Sequence, residues 1–309
     1  MRCLITYQPS SADYSAEGLK RIDRNLKKLE RLPYSADALR LEAAARAEKM
    51  SIQGVHPKLS ARLNTSQGRF EIVDHGGRFI LKPQSQEFAE LPENEDLTMK
   101  LATTCGIDVP LHFLVRGIDD RLTYGIKRFD REGKNRKVAI EDFAQLSGSS
   151  RETKYKSSME KVVKIVETFC TYPVIEKQKL FLMTLFSFLT GNEDMHLKNF
   201  SVIRRQNKVV LSPAYDLLNT TIAIPKAQEE MALPLNAKKR KLNRADLVDY
   251  FGEQCLQLNE KTIQKTLKEL QKAARTWESF VKISFLSPEK QNDYIHLINH
   301  RFNRLFAES

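Results

Sequence analysis

The residues best equipped for chemistry lie in one short stretch, Gly191-Asn192-Glu193-Asp194-Met195-His196-Leu197-Lys198-Asn199-Phe200-Ser201. A carboxylate, Asp194, and an amide, Asn199, stand five positions apart. A second carboxylate, Asp216, follows in Ser212-Pro213-Ala214-Tyr215-Asp216. A carboxylate can take the proton of an attacking hydroxyl, while an amide oxygen and a further carboxylate can hold a divalent cation against phosphates. Two carboxylates and one amide in this order suit phosphoryl transfer.

The D-x-x-x-x-N spacing is that of a protein-kinase catalytic loop, where the Asp acts as base and the Asn holds Mg²⁺ on the phosphates of ATP. Asp216 occupies the place of the second metal-binding Asp in that scheme. The elements that must position these groups are legible on either side. An apolar run, Leu180 to Leu189, reads as a buried helix that stops at Gly191, and the strand Val209-Val210-Leu211 leads toward Asp216.

Upstream, a polar loop from Ser51 to Lys58 precedes three strand-like pieces, Leu59–Leu63, Arg69–Val73 and Arg78–Lys82. Turn-forming residues separate them, so an antiparallel meander is expected. Lys82 ends the third strand. Pro92 opens a helix running to Cys105, with Gly106 as its stop and Glu95, Met99 and Ala102 on one face. Strands His112–Arg116 and Arg121–Arg128 lead into Phe129-Asp130-Arg131-Glu132-Gly133, a polar break and candidate hinge. Residues 1 to about 45 read as helical and polar. From Ile140 onward the pattern is almost entirely helical apart from the catalytic stretch, with Asn243 and Asn259 as N-caps of late helices.

This order predicts an α+β, bilobal, protein-kinase-like fold: a small β-rich N-lobe with one helix, then a larger, mostly helical C-lobe. The expected division is 1–128 for the N-terminal segment and N-lobe and 129–309 for the C-lobe, with nucleotide between them. Taken singly the parts are weak, since a lone Lys at a strand end is usually a solvated charge. Together they supply a phosphate-covering loop, a strand Lys, a helix Glu, a hinge, the Asp…Asn loop and a metal Asp, in sequence.

With 309 residues, 41% hydrophobic and 29% charged, the composition is that of a soluble globular protein, and the cytoplasm is the expected location. No apolar stretch approaches the roughly 20 residues that span a bilayer, and the short apolar N-terminus is no secretory signal. Cys3, Cys105, Cys170 and Cys255 are too scattered for a zinc site or disulfide framework. A net charge of +11 favours anionic partners, but it is spread over short clusters such as Lys238-Lys239-Arg240-Lys241, which a solvated face or a loop before a helix explains as well.

The chain lacks the G-x-G-x-x-G loop and H-R-D triplet of ordinary protein kinases. What it contains resembles the HipA family of bacterial toxin serine/threonine kinases. The resemblance rests on Gly191 to Ser201 and on Leu211-Ser212-Pro213-Ala214-Tyr215-Asp216-Leu217-Leu218-Asn219-Thr220. It extends to Ile126–Arg131, Glu141-Asp142-Phe143 and Leu233–Lys239, covering roughly residues 45 to 275. It implies Asp194 as catalytic base, Asn199 and Asp216 as metal ligands, and Lys82, partnered by Glu95, as the phosphate contact. The backbone of Lys127 and Phe129 would hold adenine, Asp130 would reach the ribose, and the loop containing Gln53 and Gly54 would cover the phosphates. His196 either organises the catalytic loop or is an ordinary loop histidine.

Family members of full length carry an additional N-terminal segment for which this chain has little room, so it looks like the shorter HipT type. That type works with separate small antitoxin proteins, one of them DNA-binding, so DNA contact is expected only within the complex. The resemblance points to a protein substrate in translation, such as an aminoacyl-tRNA synthetase. It also marks Ser51, in Ser51-Ile52-Gln53, as an autophosphorylation site, where the alternative is an ordinary loop serine. Two other readings compete. Asp194-x-His196-x-x-Asn199 fits the D-R-H-x-x-N of phosphatidylinositol-type lipid kinases apart from Met195, but no amphipathic basic helix or membrane anchor accompanies it. A catalytically silent kinase-fold binding protein has no chemical need for Asp194, Asn199, Asp216 and Lys82 together.

Overall fold

The structure, a computed structural model, describes residues 1–46, 57–133, 136–149, 153–224 and 229–306. The chain divides into two compact units. Unit 1 is Met1–Leu97, Pro110–Arg136 and Ile283–Leu286, and unit 2 is Thr98–Val109, Lys137–Lys282 and Ser287–Ser309.

Residues 1–46 contain two short helices, α1 (Ala16–Ile22) and α2 (Ala36–Arg46), rather than a continuous helical segment. The stretch between them carries buried Leu26, Leu29 and Leu32, and beyond one turn, Leu26 N–H to the Asp23 carbonyl at 3.0 Å, its backbone reaches outward. Glu30 N–H donates to the Gly68 carbonyl at 2.6 Å and Leu32 N–H to that of Arg116 at 2.9 Å. Those bonds answer the backbone demand that a helix would otherwise meet.

The sheet of unit 1 comprises β1 (Leu59–Asn64), β2 (Arg69–Ile72), β3 (Phe79–Lys82), β4 (His112–Arg116) and β5 (Leu122–Lys127), all antiparallel, in the order β2-β1-β3-β5-β4. The expected meander is therefore corrected, because β3 pairs with β1 and not with β2. Leu59, Ser60 and Ala61 at the start of β1 are all buried and pair with β3, and Ala61 also pairs with Ile72 of β2. β2 exposes Arg69 and sets Glu71 3.0 Å from Arg62 across the pair, which suits an outer position. Phe70, Phe79 and Phe113 fill the core beneath, with Phe70 stacked on Phe113 at 5.3 Å between ring centroids. Gly125 faces Phe113 in the register, where an added Cβ would lie 2.4 Å from the ring.

Helix α3 (Leu91–Thr104) matches its expected bounds within a residue and is followed by Gly106 at φ +78°. After the short strands β6 (Arg131–Glu132) and β7 (Arg136–Lys137), β8 (Ile140–Asp142) leads to α4 (Phe143–Leu146), α5 (Met159–Phe169) and α6 (Pro173–Thr190). Then come β9 (Ser201–Arg205), β10 (Lys208–Leu211), α7 (Thr220–Ala223) and a π-helix at Ala245–Cys255. Helices α8 (Glu260–Ala274), α9 (Trp277–Lys282) and α10 (Pro288–Phe306) complete unit 2.

Unit 2 is mainly helical, but β10, β9 and β8 form a three-stranded antiparallel sheet of which only β10 is evident in the sequence. Gln206 (φ 47°) and Asn207 (φ 61°) both take left-handed backbone between the paired Arg205 and Lys208, the geometry of a tight type I′ hairpin. The N-cap expectation holds for Asn259, whereas the N-cap of the π-helix is Arg244, one residue after Asn243. Asn259 Oδ1 accepts from Thr262 N–H at 2.9 Å, and Asn243 and Asp246 exchange reciprocal side-chain bonds ahead of the π-helix. Trp277 is wholly buried, donating to Thr104 Oγ1 at 2.9 Å. All four cysteines are free, and burial pushes the Cys105 and Cys170 thiols up to about 12. Among the described residues, no helix is long and apolar enough to cross a membrane.

Candidate functional site

The residues singled out by sequence fall into both units, and each group has its own geometry. In unit 2, α6 delivers the chain to Asp194. Its apolar face is buried from Leu180 through Leu189, and it ends at Gly191 in left-handed backbone at φ 72°. A side chain there would be strained, and its Cβ would lie 2.4 Å from Leu297 Cδ2 and 2.6 Å from Asn219 Oδ1. Only glycine turns the chain so sharply at this point.

The loop is then tied down from several directions. Arg301, buried on α10, donates at 2.7 Å to the Phe188 carbonyl at the end of α6, which also accepts from Gly191 N–H at 3.4 Å, and to Glu193 Oε1 at 3.1 Å. Burial lowers the Arg301 pKa, with Glu193 and Glu230 opposing, and burial likewise raises that of Glu193 against its Thr221 and Arg301 bonds. The Glu193 N–H donates to Thr220 Oγ1 at 2.7 Å. Downstream, Leu197–Asn199 form one 3₁₀ turn. Phe200 stacks on Phe143 at 5.7 Å, and the Tyr215 hydroxyl donates to the Lys198 carbonyl at 2.9 Å.

Within this frame Asn199 Nδ2 donates to the Asp194 carbonyl at 2.7 Å, so the two residues are linked across the turn. The bond leaves the Asn199 amide oxygen as the end that can meet a cation. The Asp194 side chain is 40% exposed, the accessibility a proton acceptor for an incoming substrate requires. His196 is buried. Lys198 N–H donates to its Nδ1 at 3.2 Å, and Lys154 Nζ lies 2.7 Å from its Nε2. Its pKa falls, chiefly through burial and with help from Lys154, while the charges of Asp194 and Asp216 oppose the shift. Asp216 thus lies within electrostatic reach of the loop. It takes left-handed backbone, φ 54°, an uncommon state for a residue with a side chain, and one that local strain at functional positions often produces.

An oxygen-only donor set of one carboxylate and one amide fits magnesium, which keeps waters and substrate phosphates as its other ligands. A closed cage is not required. Among the described residues, no group of three His, Cys, Asp or Glu side chains could hold a metal alone.

In unit 1 the Lys82 ammonium donates to Glu95 Oε1 at 2.6 Å, both groups buried, and sits 5.4 Å from the centroid of the Tyr124 ring. One residue further along α3, Asp96 Oδ1 meets His112 Nδ1 at 2.7 Å. The Lys127 N–H donates to the Leu111 carbonyl at 2.8 Å within the sheet, which removes it as a donor to a purine. Asp130 is gripped by Arg128 Nε at 3.0 Å and Nη2 at 2.8 Å, and by Arg131 Nη1 at 2.5 Å. Burial alone would raise its pKa, and the Arg128 and Arg131 guanidiniums overcome that and lower it. A ribose hydroxyl would have to share an oxygen with these guanidiniums. Ser51, Gln53 and Gly54 lie outside the described residues.

Sequence reasoning missed Arg301, Glu193 and Tyr155. The Tyr155 hydroxyl donates to Asp194 Oδ1 at 2.6 Å. Tyr155 and Arg301 act on the loop from 39 and 108 residues away, and no local spacing signals such contacts.

The HipA-like C-terminal domain model matches residues 50–277. A Haemophilus influenzae protein provisionally named as a kinase is 28% identical over 321 residues, covering 92% of this chain and 91% of that protein. The serine/threonine-protein kinase toxin HipA of Shewanella oneidensis is 30% identical over 194 residues, covering 55% of this chain and 43% of the toxin. Among solved structures, HipA of Shewanella oneidensis in its complex with HipB and operator DNA superposes with a TM-score of 0.66 at 22% identity. That match covers 91% of this chain and 72% of HipA. The Helicobacter pylori proinflammatory kinase CtkA gives 0.56 at 16% identity, over 82% of this chain and 90% of that one. These two likenesses show that the fold is kinase-like, as the order of elements predicts. With more than two thirds of its length matched by the model, the chain belongs to the HipA-like C-terminal domain family.

Proposed function

We propose that this protein transfers the γ-phosphoryl group of ATP to a serine or threonine hydroxyl of a protein and acts as a toxin kinase. The observation that carries the reading is the braced loop of unit 2. There a half-exposed carboxylate, Asp194, is linked through its own carbonyl to the amide of Asn199. In this reading Asp194 takes the proton of the acceptor hydroxyl, and Asn199 and Asp216 would hold Mg²⁺. A bound Mg²⁺ would neutralise charge on the phosphates. Lys82, kept extended by Glu95, contacts phosphate oxygens. The Lys127 carbonyl and the Phe129 backbone hold the adenine, Asp130 the ribose, and Gln53 and Gly54 belong to the covering loop. His196, kept neutral by burial, supports the loop without adding a charge beside Asp194.

The finer parts of the proposal follow from family membership. The acceptor is a translation component such as an aminoacyl-tRNA synthetase, and Ser51 is phosphorylated by the chain itself. A phosphate at Ser51 would add about −1.5 to −2 charge beside the ATP phosphates and weaken nucleotide binding. Small antitoxin proteins hold the toxin inactive, one of them DNA-binding, in an assembly like the HipA, HipB and operator DNA complex of Shewanella oneidensis.

Purified protein incubated with γ-labelled ATP and magnesium tests the reading. Label should pass to protein and disappear in Asp194→Asn. Transfer that is unchanged in Asp194→Asn would overturn it. Peptide mass spectrometry of the same reaction locates or excludes phosphate at Ser51, and recovery from its host with or without a co-purifying small protein decides the partner.

A further inference from the structure

The segment just before α5 leans on the catalytic loop. Thr153–Lys156 is a turn closed by a Lys156 N–H to Thr153 carbonyl bond of 2.8 Å. Its two central residues both reach the loop. The Tyr155 hydroxyl donates to Asp194 Oδ1 at 2.6 Å, and the Tyr155 ring meets His196 edge-on at 5.0 Å between centroids. Lys154 Nζ lies 2.7 Å from His196 Nε2 and 4.8 Å from the centroid of the Tyr155 ring. The Lys154 carbonyl accepts from Leu197 N–H at 3.4 Å.

An aspartate on a loop, 40% exposed, has a soft terminal torsion and presents either oxygen with little preference. One charge-assisted O–H···O⁻ bond of this length removes that freedom. The Asp194 contacts among the described residues all fall on Oδ1: Tyr155 at 2.6 Å and His196 Nε2 at 3.9 Å. Among the described residues, Oδ2 takes no hydrogen bond. Burial, then the bond to Asp194 and its negative charge, raise the Tyr155 pKa, so the phenol stays a donor.

We propose that Lys154 and Tyr155 form a positioning clamp. Tyr155 fixes the Asp194 carboxylate through Oδ1 so that Oδ2 takes the acceptor's proton, and the Lys154 carbonyl, accepting from Leu197 N–H, seats the turn on the loop. The clamp rests on the reading of Asp194 as the catalytic base. Neither residue touches substrate in this arrangement. Tyr155 is 43% exposed, which keeps the segment accessible and makes the clamp removable without emptying a core.

Full-length Tyr155→Phe, with wild type and an Asp194→Asn blank, is assayed with magnesium, ATP and casein as generic acceptor. Affinity for ATP and melting temperature are measured in parallel. Misplaced reacting groups cost up to about 100-fold in rate. The expected result for Tyr155→Phe is a kcat lower by about 10- to 100-fold on that same scale, with KM for ATP and melting temperature unchanged. A structural role would instead lower the melting temperature or raise KM for ATP together with the loss of kcat. An unchanged kcat in Tyr155→Phe overturns the clamp, and so does a raised kcat, which would mean that the phenol obstructs the acceptor. If wild type itself transfers no more label than Asp194→Asn, the kinase reading falls. Active wild type beside an unaffected Tyr155→Phe removes the clamp alone.

Discussion

The Lys82–Glu95 pair of unit 1 and the Asp194–Tyr155 pair of unit 2 are bonds of equal length, 2.6 Å, in opposite surroundings. Lys82 and Glu95 are buried, with side chains 11% and 7% exposed. Asp194 is 40% exposed and meets a tyrosine that is itself half open. A buried ion pair loses solvation on both partners, and removing either leaves an uncompensated charge inside. A half-exposed carboxylate retains water and can lose its neighbour cheaply. Substitution at the exposed Asp194 should therefore leave the fold largely intact, whereas substitution at the buried Lys82 should affect stability as well as transfer.

The largest effect should be on activity. Asp194→Ala should reduce phosphoryl transfer by about 10²- to 10⁴-fold, the usual contribution of a positioned acid–base group, and Asp216→Ala should likewise abolish most transfer by removing a ligand for Mg²⁺. For Asp194→Ala, unfolding free energy should stay within about 0.5 kcal/mol, as for other substitutions away from a core. Labelled-ATP transfer and urea titration of the same samples measure both, and a large stability loss in Asp194→Ala would erase the contrast.

At the buried pair the order reverses. Lys82→Met should destabilise the fold by about 3–5 kcal/mol by stranding Glu95. Lys82→Met with Glu95→Leu should recover most of that, since apolar replacement of a buried pair is often neutral. Transfer activity should be absent from both, so denaturant titration separates single from double variant where the activity assay does not.

Smaller effects calibrate the scale. Gly191→Ala should cost about 1–3 kcal/mol through its left-handed backbone, with further loss from the contact with Asn219. Asn259→Ala, remote from both pairs, removes only the cap of α8 and should cost about 1 kcal/mol without altering transfer. Calorimetric melting of the two variants checks the order, and a larger loss for Asn259→Ala than for Gly191→Ala would invert it.

Much of this architecture was legible because the signals are local. Leu59–Lys82 alternate between apolar runs and turn residues, Pro92 and Gly106 bracket α3, and the apolar face of α6 ends at a glycine. The D-x-x-x-x-N spacing of Asp194 and Asn199 is local as well, and one hydrogen bond links those two residues. What stayed hidden is set by pairing at a distance. Whether β3 lies beside β1 or β2 depends on which strand must be covered on both edges. β9 has only Val202 and Ile203 as apolar residues, and its turn, Gln206-Asn207, lacks the glycine that usually marks a type I′ hairpin. Residues 1–46 look polar on average, yet every third residue from Leu26 to Leu32 is a buried leucine.

Arg301 has a consequence in time as well as in space. Glu193 leaves the ribosome 108 residues before the guanidinium that neutralises it and ties off the end of α6. At ordinary elongation rates that interval is roughly 5–20 s. Throughout it the segment bearing Asp194 exists without its α10 anchor. A nascent chain that already contains every residue from Gly191 to Ser201 would therefore still lack the finished shape of that loop, and whatever the loop does would begin only once α10 has docked.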